Sequence, residues 1–433
     1  MKIAIIGTGI SGLVAAYKLA PEHEVTLFEA NAYVGGHTNT RTISMRGVEY
    51  KIDTGFIVFN DRTYPNFINL LDELQVSSRP TSMSFSVRNE QTGLEYNGTS
   101  LIGLFAQRRN LLNRKFYRFL KEILRFNQEG TELAEQGGEH DLTVGRFLYE
   151  RHYSQFFAEH YLLPMGAAIW SCPPETFSQF PMQFIAQFYH HHGLLSIKDR
   201  PTWRVIEGGS QAYVNKLIES FRDNIHLNMP VQSVERNADS VRIHFERSQS
   251  LEFDEVIFAC HSDQALALLP DASRQEREIL KAFPYSRNSA VLHTDTSVLP
   301  SRKRAWASWN YHLRQDQERR ATVTYNMNIL QHLESEDVFC VTLNESDLID
   351  PEKILYKAEY SHPIFTMDRA RMQQRHTELI RQNRTSFCGA YWGNGFHEDG
   401  VNSALAVTRA FENEVIFLSD KRKALPQSIG SLV

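Results

Sequence analysis

The sequence predicts a mixed α/β fold. Three observations carry this: a strand, glycine turn, helix, strand and acid succeed one another within the first 29 residues, further glycine turns recur as far as residue 400, and no Pro/Ser-rich linker separates them. Residues 3–6 are a short apolar run ending at Gly7. Gly7-Thr8-Gly9-Ile10-Ser11-Gly12 follows, and residues 13–19 then carry apolar side chains at helical spacing. Residues 24–28 read as a second strand that finishes at Glu29. This arrangement meets the context conditions of a Rossmann-like dinucleotide site. Gly7 makes the tight turn, Gly9 lets the backbone approach a pyrophosphate, and Gly12 allows close helix–strand packing. The helix N-terminus at Ile10 and Ser11 offers unpaired N–H groups to the phosphates. Glu29, about 20 residues beyond the glycines, suits a ribose diol and disfavours a 2′-phosphate.

A second glycine turn separates the cofactor alternatives. From Glu29-Ala30 the chain reaches Gly35-Gly36-His37-Thr38, and a plain NAD domain has no use for that pair. A second glycine turn beside the first carries the chain along a longer cofactor, which points to FAD. Asp53-Thr54-Gly55-Phe56 gives another glycine break at the end of a strand.

Composition sets the outer bounds. The 433 residues are 42% hydrophobic and 22% charged, enough apolar material for a sizeable core. Length alone suggests two or three domains. A formal charge of −5 argues against a nucleic-acid partner. Cys172, Cys260, Cys340 and Cys388 form no CxxC pair and have no histidine at metal spacing, so free thiols and no metal site are expected. In His190-His191-His192 adjacent rings point different ways, which fits a helix end or loop better than a metal centre. The N-terminus opens straight into the glycine pattern, and no apolar run reaches about 18 residues. The expectation is a cytoplasmic protein, at most peripheral to the inner face of a membrane.

Later blocks are more specific. They are Asp53-Thr54-Gly55-Phe56-Ile57-Val58-Phe59-Asn60, Pro164-Met165-Gly166-Ala167-Ala168-Ile169-Trp170-Ser171, and Trp203-Arg204-Val205-Ile206-Glu207-Gly208-Gly209-Ser210, with Ala305-Trp306-Ala307-Ser308-Trp309-Asn310 and Gly395-Phe396-His397-Glu398-Asp399-Gly400. Through them the chain resembles the amine-oxidase-like FAD flavoproteins, which include amine oxidases, protoporphyrinogen oxidase and phytoene desaturases. Within that group it is similar to the predicted NAD/FAD-binding proteins associated with cyclopropane-fatty-acid synthases. The likeness extends to about residue 418.

The resemblance implies an FAD-binding domain of the glutathione-reductase type, assembled from residues 1–75, 201–264 and 385–433. Residues 76–200 and 265–384 then form an interleaved substrate-binding domain. Residues 225–234 and 240–245 read as strands of a meander, and 251–259 as one strand re-entering the FAD sheet. By the same resemblance, Val231 offers its backbone to the adenine and Gly389 ends a strand beside the cofactor. A helix capped near Asp399 or Gly400 then aims its N-terminus at the flavin, with the Val401 N–H as donor to a flavin carbonyl. Two positions depart from the pattern: relatives often carry an acid where Ala390 stands and Arg where His37 stands, with Arg41 or Asn39 as substitutes for the latter.

Flavin enzymes of this kind remove hydride from a C–H bond, and a catalytic acid or base is optional. Tyr391 and Trp392 are candidates for an aromatic wall or for core packing, and His397 for a catalytic role or a polar helix end. The expected activity is an FAD-dependent oxidoreductase, whether dehydrogenase, desaturase or oxidase, acting on a hydrophobic substrate such as a fatty acyl chain or lipid. The alternatives are an amine oxidase and a redox-neutral or non-catalytic flavin-fold protein. Residues 111–127 predict an amphipathic helix, with Leu112, Phe116, Phe119, Leu120, Ile123 and Phe126 on one face and Arg114, Lys115, Arg118, Lys121 and Arg125 on the other. That helix either packs on the core or meets an anionic membrane.

Overall fold

Every residue of the first strand, Lys2–Ile6, is apolar after Lys2, as expected of a strand covered on both faces. In the computed structural model, which describes residues 1–137, 141–196, 198–314 and 322–423, this strand pairs in parallel with Glu24–Phe28 and with Glu255–Phe258. Ile225–His226 and Thr385–Phe387 extend the sheet to five strands. The helix Ile10–Leu19 and the C-terminal helix His397–Lys423 pack on each other. An antiparallel meander of Ser233–Arg236, Val241–His244 and Ser250–Phe253 completes this unit. Residues 424–433, part of the expected C-terminal FAD segment, lie outside the described residues.

Two expected strands are each divided. The run 251–259 breaks at Asp254, whose carboxylate accepts the Lys2 N–H at 2.6 Å while its own N–H reaches the Lys2 carbonyl at 2.9 Å. Residues before it belong to the meander and residues after it to the parallel sheet. Residues 225–234 likewise contribute first to the parallel sheet and then to the meander.

The chain forms two compact units. The first comprises Met1–Gly36, Leu217–Lys281 and the chain from Met372; the second comprises His37–Lys216 and Ala282–Arg371. These cuts differ from the expected boundaries at 75, 201, 264 and 385. The ladder of Thr40–Met45 with Val48–Asp53, and the strand Trp203–Ile206 with its partners Phe59–Asn60 and Ser78–Pro80, cluster with the second unit.

The second unit is built on a seven-stranded sheet ordered Ile354–Pro363, Tyr285–His293, Cys340–Leu343, Val323–Asn326, Trp309–Leu313, Phe85–Asn89 and Leu94–Asn97. Its pairings are antiparallel except between Trp309–Leu313 and Phe85–Asn89. Alternation gives the sheet two different faces. One register row joins Phe85, Trp309, Tyr325, Val341, Leu292 and Tyr356; the next joins Val87, Tyr311, Val323, Leu343, Ala290 and Ala358. The opposite face carries a polar relay in which His293 Nε2 meets Thr342 Oγ1 at 2.7 Å and Thr342 meets Thr324 at 2.8 Å.

The basic amphipathic helix exists but begins later than expected, at Arg114, and runs to Gln136. Asn113 caps it by accepting the Lys115 N–H at 3.0 Å. Phe116, Phe119 and Phe126 are buried as expected. Leu112 is not: it belongs to the preceding 3-10 turn and is 92% exposed. His190 and His191 end the helix Met182–His191, as the sequence suggested. Among the described residues no group of histidine, cysteine and acidic side chains is placed to hold a metal, and no helix is long and apolar enough to cross a membrane.

Asp53 ties three separate segments of the second unit together. Its carboxylate accepts from Thr40 Oγ1 at 2.5 Å, Ser210 N at 2.9 Å, Ser210 Oγ at 2.7 Å and Gln331 Nε2 at 3.1 Å. Burial raises its pKa from the ordinary 3.8 to about 6, against the hydroxyl and amide donors that pull it down. A value raised by folding means a stabilising contribution that is complete below about pH 4 and lost as pH rises through 6. Between pH 4 and pH 7 this group lowers the unfolding free energy by about 2 kcal/mol. Asp53→Asn removes that slope, as urea unfolding at a series of pH values will show.

Candidate cofactor site

In the first unit, the glycines are required by how closely the turns approach one another. A Cβ on Gly12 would lie 2.1 Å from the Gly7 carbonyl oxygen, so the helix Ile10–Leu19 sits tight on the strand exit. Gly36, at φ +60°, passes over the first turn so closely that a Cβ would be 3.1 Å from Gly9 Cα. Gly35 N–H donates to the Thr8 carbonyl at 3.1 Å, and Tyr33 Oη to the Gly36 carbonyl at 3.2 Å. The direction a Gly9 side chain would take is open, with no atom within 4 Å.

Glu29 ends the second strand buried. One carboxylate oxygen accepts from Thr8 N at 3.0 Å and Thr8 Oγ1 at 2.6 Å; the other accepts from Asn31 N at 2.9 Å and Asn31 Nδ2 at 2.8 Å. Its charge therefore faces the first glycine turn. Ala30 beside it is exposed. Met229 N–H donates to the Glu29 carbonyl at 2.9 Å, and Val231 follows two residues later, partly buried.

The C-terminal segment joins the same place. A Cβ on Gly400 would fall 2.6 Å from Ile10 Cγ2 and 3.0 Å from Ser11 Oγ, which sets the first turns of the two helices against each other. Ser403 Oγ accepts the Gly389 N–H at 2.9 Å and donates to the Gly400 carbonyl at 2.9 Å, tying the strand exit to the helix. The helix begins at His397, earlier than the expected cap at Asp399 or Gly400. Asp399 still serves that end, accepting the Phe396 N–H at 2.9 Å. Gly400 N–H reaches the Phe396 carbonyl at 3.1 Å, so Val401, 1% exposed, lies a turn inside the helix.

Tyr391, Trp392 and His397 are all buried. The Tyr391 ring covers Gly389, where a Cβ would be 2.4 Å from it. Trp392 stacks on His376 with centroids 4.1 Å apart. His376 Nε2–H donates to the Phe387 carbonyl at 2.7 Å, and burial pushes its pKa down to about 4, so it is a neutral spacer behind the tryptophan.

His37, Thr38, Gly55 and Phe56 fall in the second unit. Phe56 N–H donates to the His37 carbonyl at 2.7 Å, and a Cβ on Gly55 would lie 2.2 Å from that same oxygen. Thr38 Oγ1 meets Tyr213 Oη at 2.6 Å. The His37 ring packs on Tyr360 and His362, with centroids 4.9 and 5.3 Å apart. Asn39 Nδ2 donates to Tyr360 Oη at 3.0 Å, and Arg41 Nη2 to Tyr356 Oη at 2.5 Å. The two residues expected to substitute for a missing arginine thus both engage phenols of one strand. Sequence reading missed that strand. Its signal was the alternation Tyr356, Ala358, Tyr360, His362, which puts all four on one face.

Two glycine turns and a distant helix N-terminus converging beside a buried acid define a dinucleotide-binding flavoprotein fold. The chain belongs to the flavin containing amine oxidoreductase family, whose family model matches residues 10–336. It is 24% identical over 306 residues to an L-amino-acid oxidase of Mus musculus, covering 67% of this chain and 46% of that protein. The matched spans amount to less than half the length of the curated relatives. Cyclohexylamine oxidase from Brevibacterium oxydans has a similar fold, with a TM-score of 0.69 and 15% identity over 96% of this chain and 99% of that one. So does a fatty acid isomerase from P. acnes that produces CLA, with a TM-score of 0.64 and 17% identity over 94% and 98%. FAD is the cofactor of this family, and the first unit fits it. The direction a Gly9 side chain would take is open, Gly35 and Gly36 bring a second turn against the first, and the buried Glu29 carboxylate faces that first turn.

Substituting Gly36→Val or Glu29→Arg will weaken FAD retention by roughly tenfold or more, a loss of at least about 1.4 kcal/mol. The flavin-to-protein ratio from visible absorbance checks it, with an unchanged far-UV spectrum as the folding control.

Proposed function

We propose that the chain is an FAD-dependent oxidoreductase of the glutathione-reductase type that dehydrogenates a hydrophobic substrate, a fatty acyl chain or lipid. The pairing of a five-stranded parallel sheet with a three-stranded meander supports the architecture. The observation that carries the substrate class is the sheet face of the second unit. Its register rows run through Trp309, Tyr325, Val341 and Leu292 without an acidic residue, so no carboxylate there pairs with an ammonium group. Bound flavin supplies the hydride-accepting ring, and the chain supplies orientation and an apolar surface. Within the first unit we assign cofactor contacts to Gly7, Gly9, Ile10, Ser11, Gly12, Glu29, Ala30, Gly35, Gly36, Val231, Gly389, Gly400 and Val401. Amine oxidation is the second reading. It is favoured by the family and by the ability of aromatic rings to hold a cation.

Anaerobic titration of the FAD-loaded protein separates them. Bleaching of the visible flavin band by fatty acids or acyl esters supports the proposal, and bleaching by amines alone overturns it. Full flavin occupancy with no bleaching by either class favours a redox-neutral flavin protein.

A membrane contact fits the same substrate class. Leu101, Ile102 and Leu112 are 74%, 71% and 92% exposed, and Arg108, Arg109, Arg114, Lys115 and Arg118 are exposed in the same stretch of chain. Apolar tips with neighbouring cations match an anionic bilayer surface. The inserting residues are these tips, since the phenylalanines of the helix Arg114–Gln136 are buried. The double variant Ile102→Glu, Leu112→Glu will lower pelleting with phosphatidylglycerol vesicles by roughly tenfold or more. Wild-type protein that stays in the supernatant refutes the contact.

A further inference from the structure

The proton on one imidazole of the second unit is placed by its neighbours. Asn344 Oδ1 accepts the backbone N–H of Ser289 at 3.1 Å, which leaves Asn344 Nδ2 to donate to Asn288 Oδ1 at 2.7 Å. Asn288 Nδ2 is then the donor end of its amide, reaching the Ser286 carbonyl at 3.2 Å and His362 Nδ1 at 3.0 Å. An amide NH2 can only donate, so His362 Nδ1 is an acceptor and the ring proton sits on Nε2. The relay starts from a backbone N–H, so both amide orientations follow from it. Burial, with His37 alongside, pushes the His362 pKa down to about 3, and the ring is neutral. Among the described residues Nε2 meets no hydrogen-bond partner, and the side chain is only partly buried. Here, then, is a fixed N–H donor with no acceptor among the described residues, on the face that carries Tyr360 and the acid-free rows.

We propose that His362 Nε2–H binds the carboxylate or carbonyl oxygen of an acyl substrate. This rests on the acyl reading above and sharpens it. A neutral N–H donor complements an oxygen lone pair, whereas an ammonium group has no lone pair to offer. Asn288 and Asn344 are positioning residues, because they act through the imidazole.

The test uses FAD-loaded protein and calorimetric titration with dodecanoate, its methyl ester and dodecylamine. His362→Phe is expected to weaken dodecanoate binding about tenfold and to leave dodecylamine unchanged, while His362→Gln, which keeps an N–H donor, retains most of the affinity. A loss confined to dodecanoate identifies a carboxylate as the acceptor, and an equal loss with the ester identifies a carbonyl. Asn288→Asp gives a second route: its carboxylate draws the proton to Nδ1, and affinity falls although His362 is intact. Wild-type affinity for both ligands in His362→Phe and Asn288→Asp, with normal flavin content, overturns this assignment alone. An altered flavin spectrum in ligand-free His362→Phe also overturns it, because the donor then serves the cofactor. Wild-type protein that binds FAD but neither acyl ligand overturns the acyl reading itself.

Discussion

Steric exclusion at one crowded spot governs the first unit. Gly36 runs over Gly9, and Gly400 presses on Ile10 and Ser11, at distances that would crowd an additional carbon. Three segments far apart in the chain are thereby brought to the same turn. Only the direction above Gly9 is left open. A buried carboxylate, Glu29, sits beside that opening, held by donors from the turn itself. Packing and charge therefore act together at this turn. Neither alone distinguishes it from an ordinary glycine-rich corner.

The second unit solves a different problem. Its sheet separates an apolar, aromatic face from a polar one, and the polar groups that do reach the apolar side are organised in pairs. His37 stands where relatives carry arginine. Instead of projecting a guanidinium, this chain packs the imidazole on Tyr360 and His362 and sends Arg41 to Tyr356. The guanidinium at that corner, that of Arg41, lies against a phenol instead of standing at position 37.

Local features were legible in the sequence and non-local ones were not. The run from Gly7 to Glu29 could be read because its strand, turn and helix are encoded within a few dozen neighbouring residues. The free cysteines and the helix-end histidines followed from spacing for the same reason. By contrast, the break at Asp254 depends on its bonds to Lys2, far back in the chain. The early start of the last helix depends on Asp399 reaching back to Phe396. Leu112 looked like part of a helical stripe because periodicity does not reveal that Asn113 caps the helix after it. The tautomer of His362 was beyond sequence reading altogether: it is set by asparagines from two other segments.

The order of strands in the parallel sheet also bears on how the protein is made. Lys2–Ile6 has Glu24–Phe28 beside it soon after synthesis begins, but its other edge belongs to Glu255–Phe258, and that strand in turn waits for Thr385–Phe387. At ribosomal rates the first edge stays unpaired for on the order of tens of seconds while the intervening chain emerges. An unpaired strand edge is a template for aggregation. Gly400, which presses on Ile10 and Ser11, arrives later still. Heterologous yield will accordingly depend on translation speed and chaperone supply as much as on the stability of the finished fold.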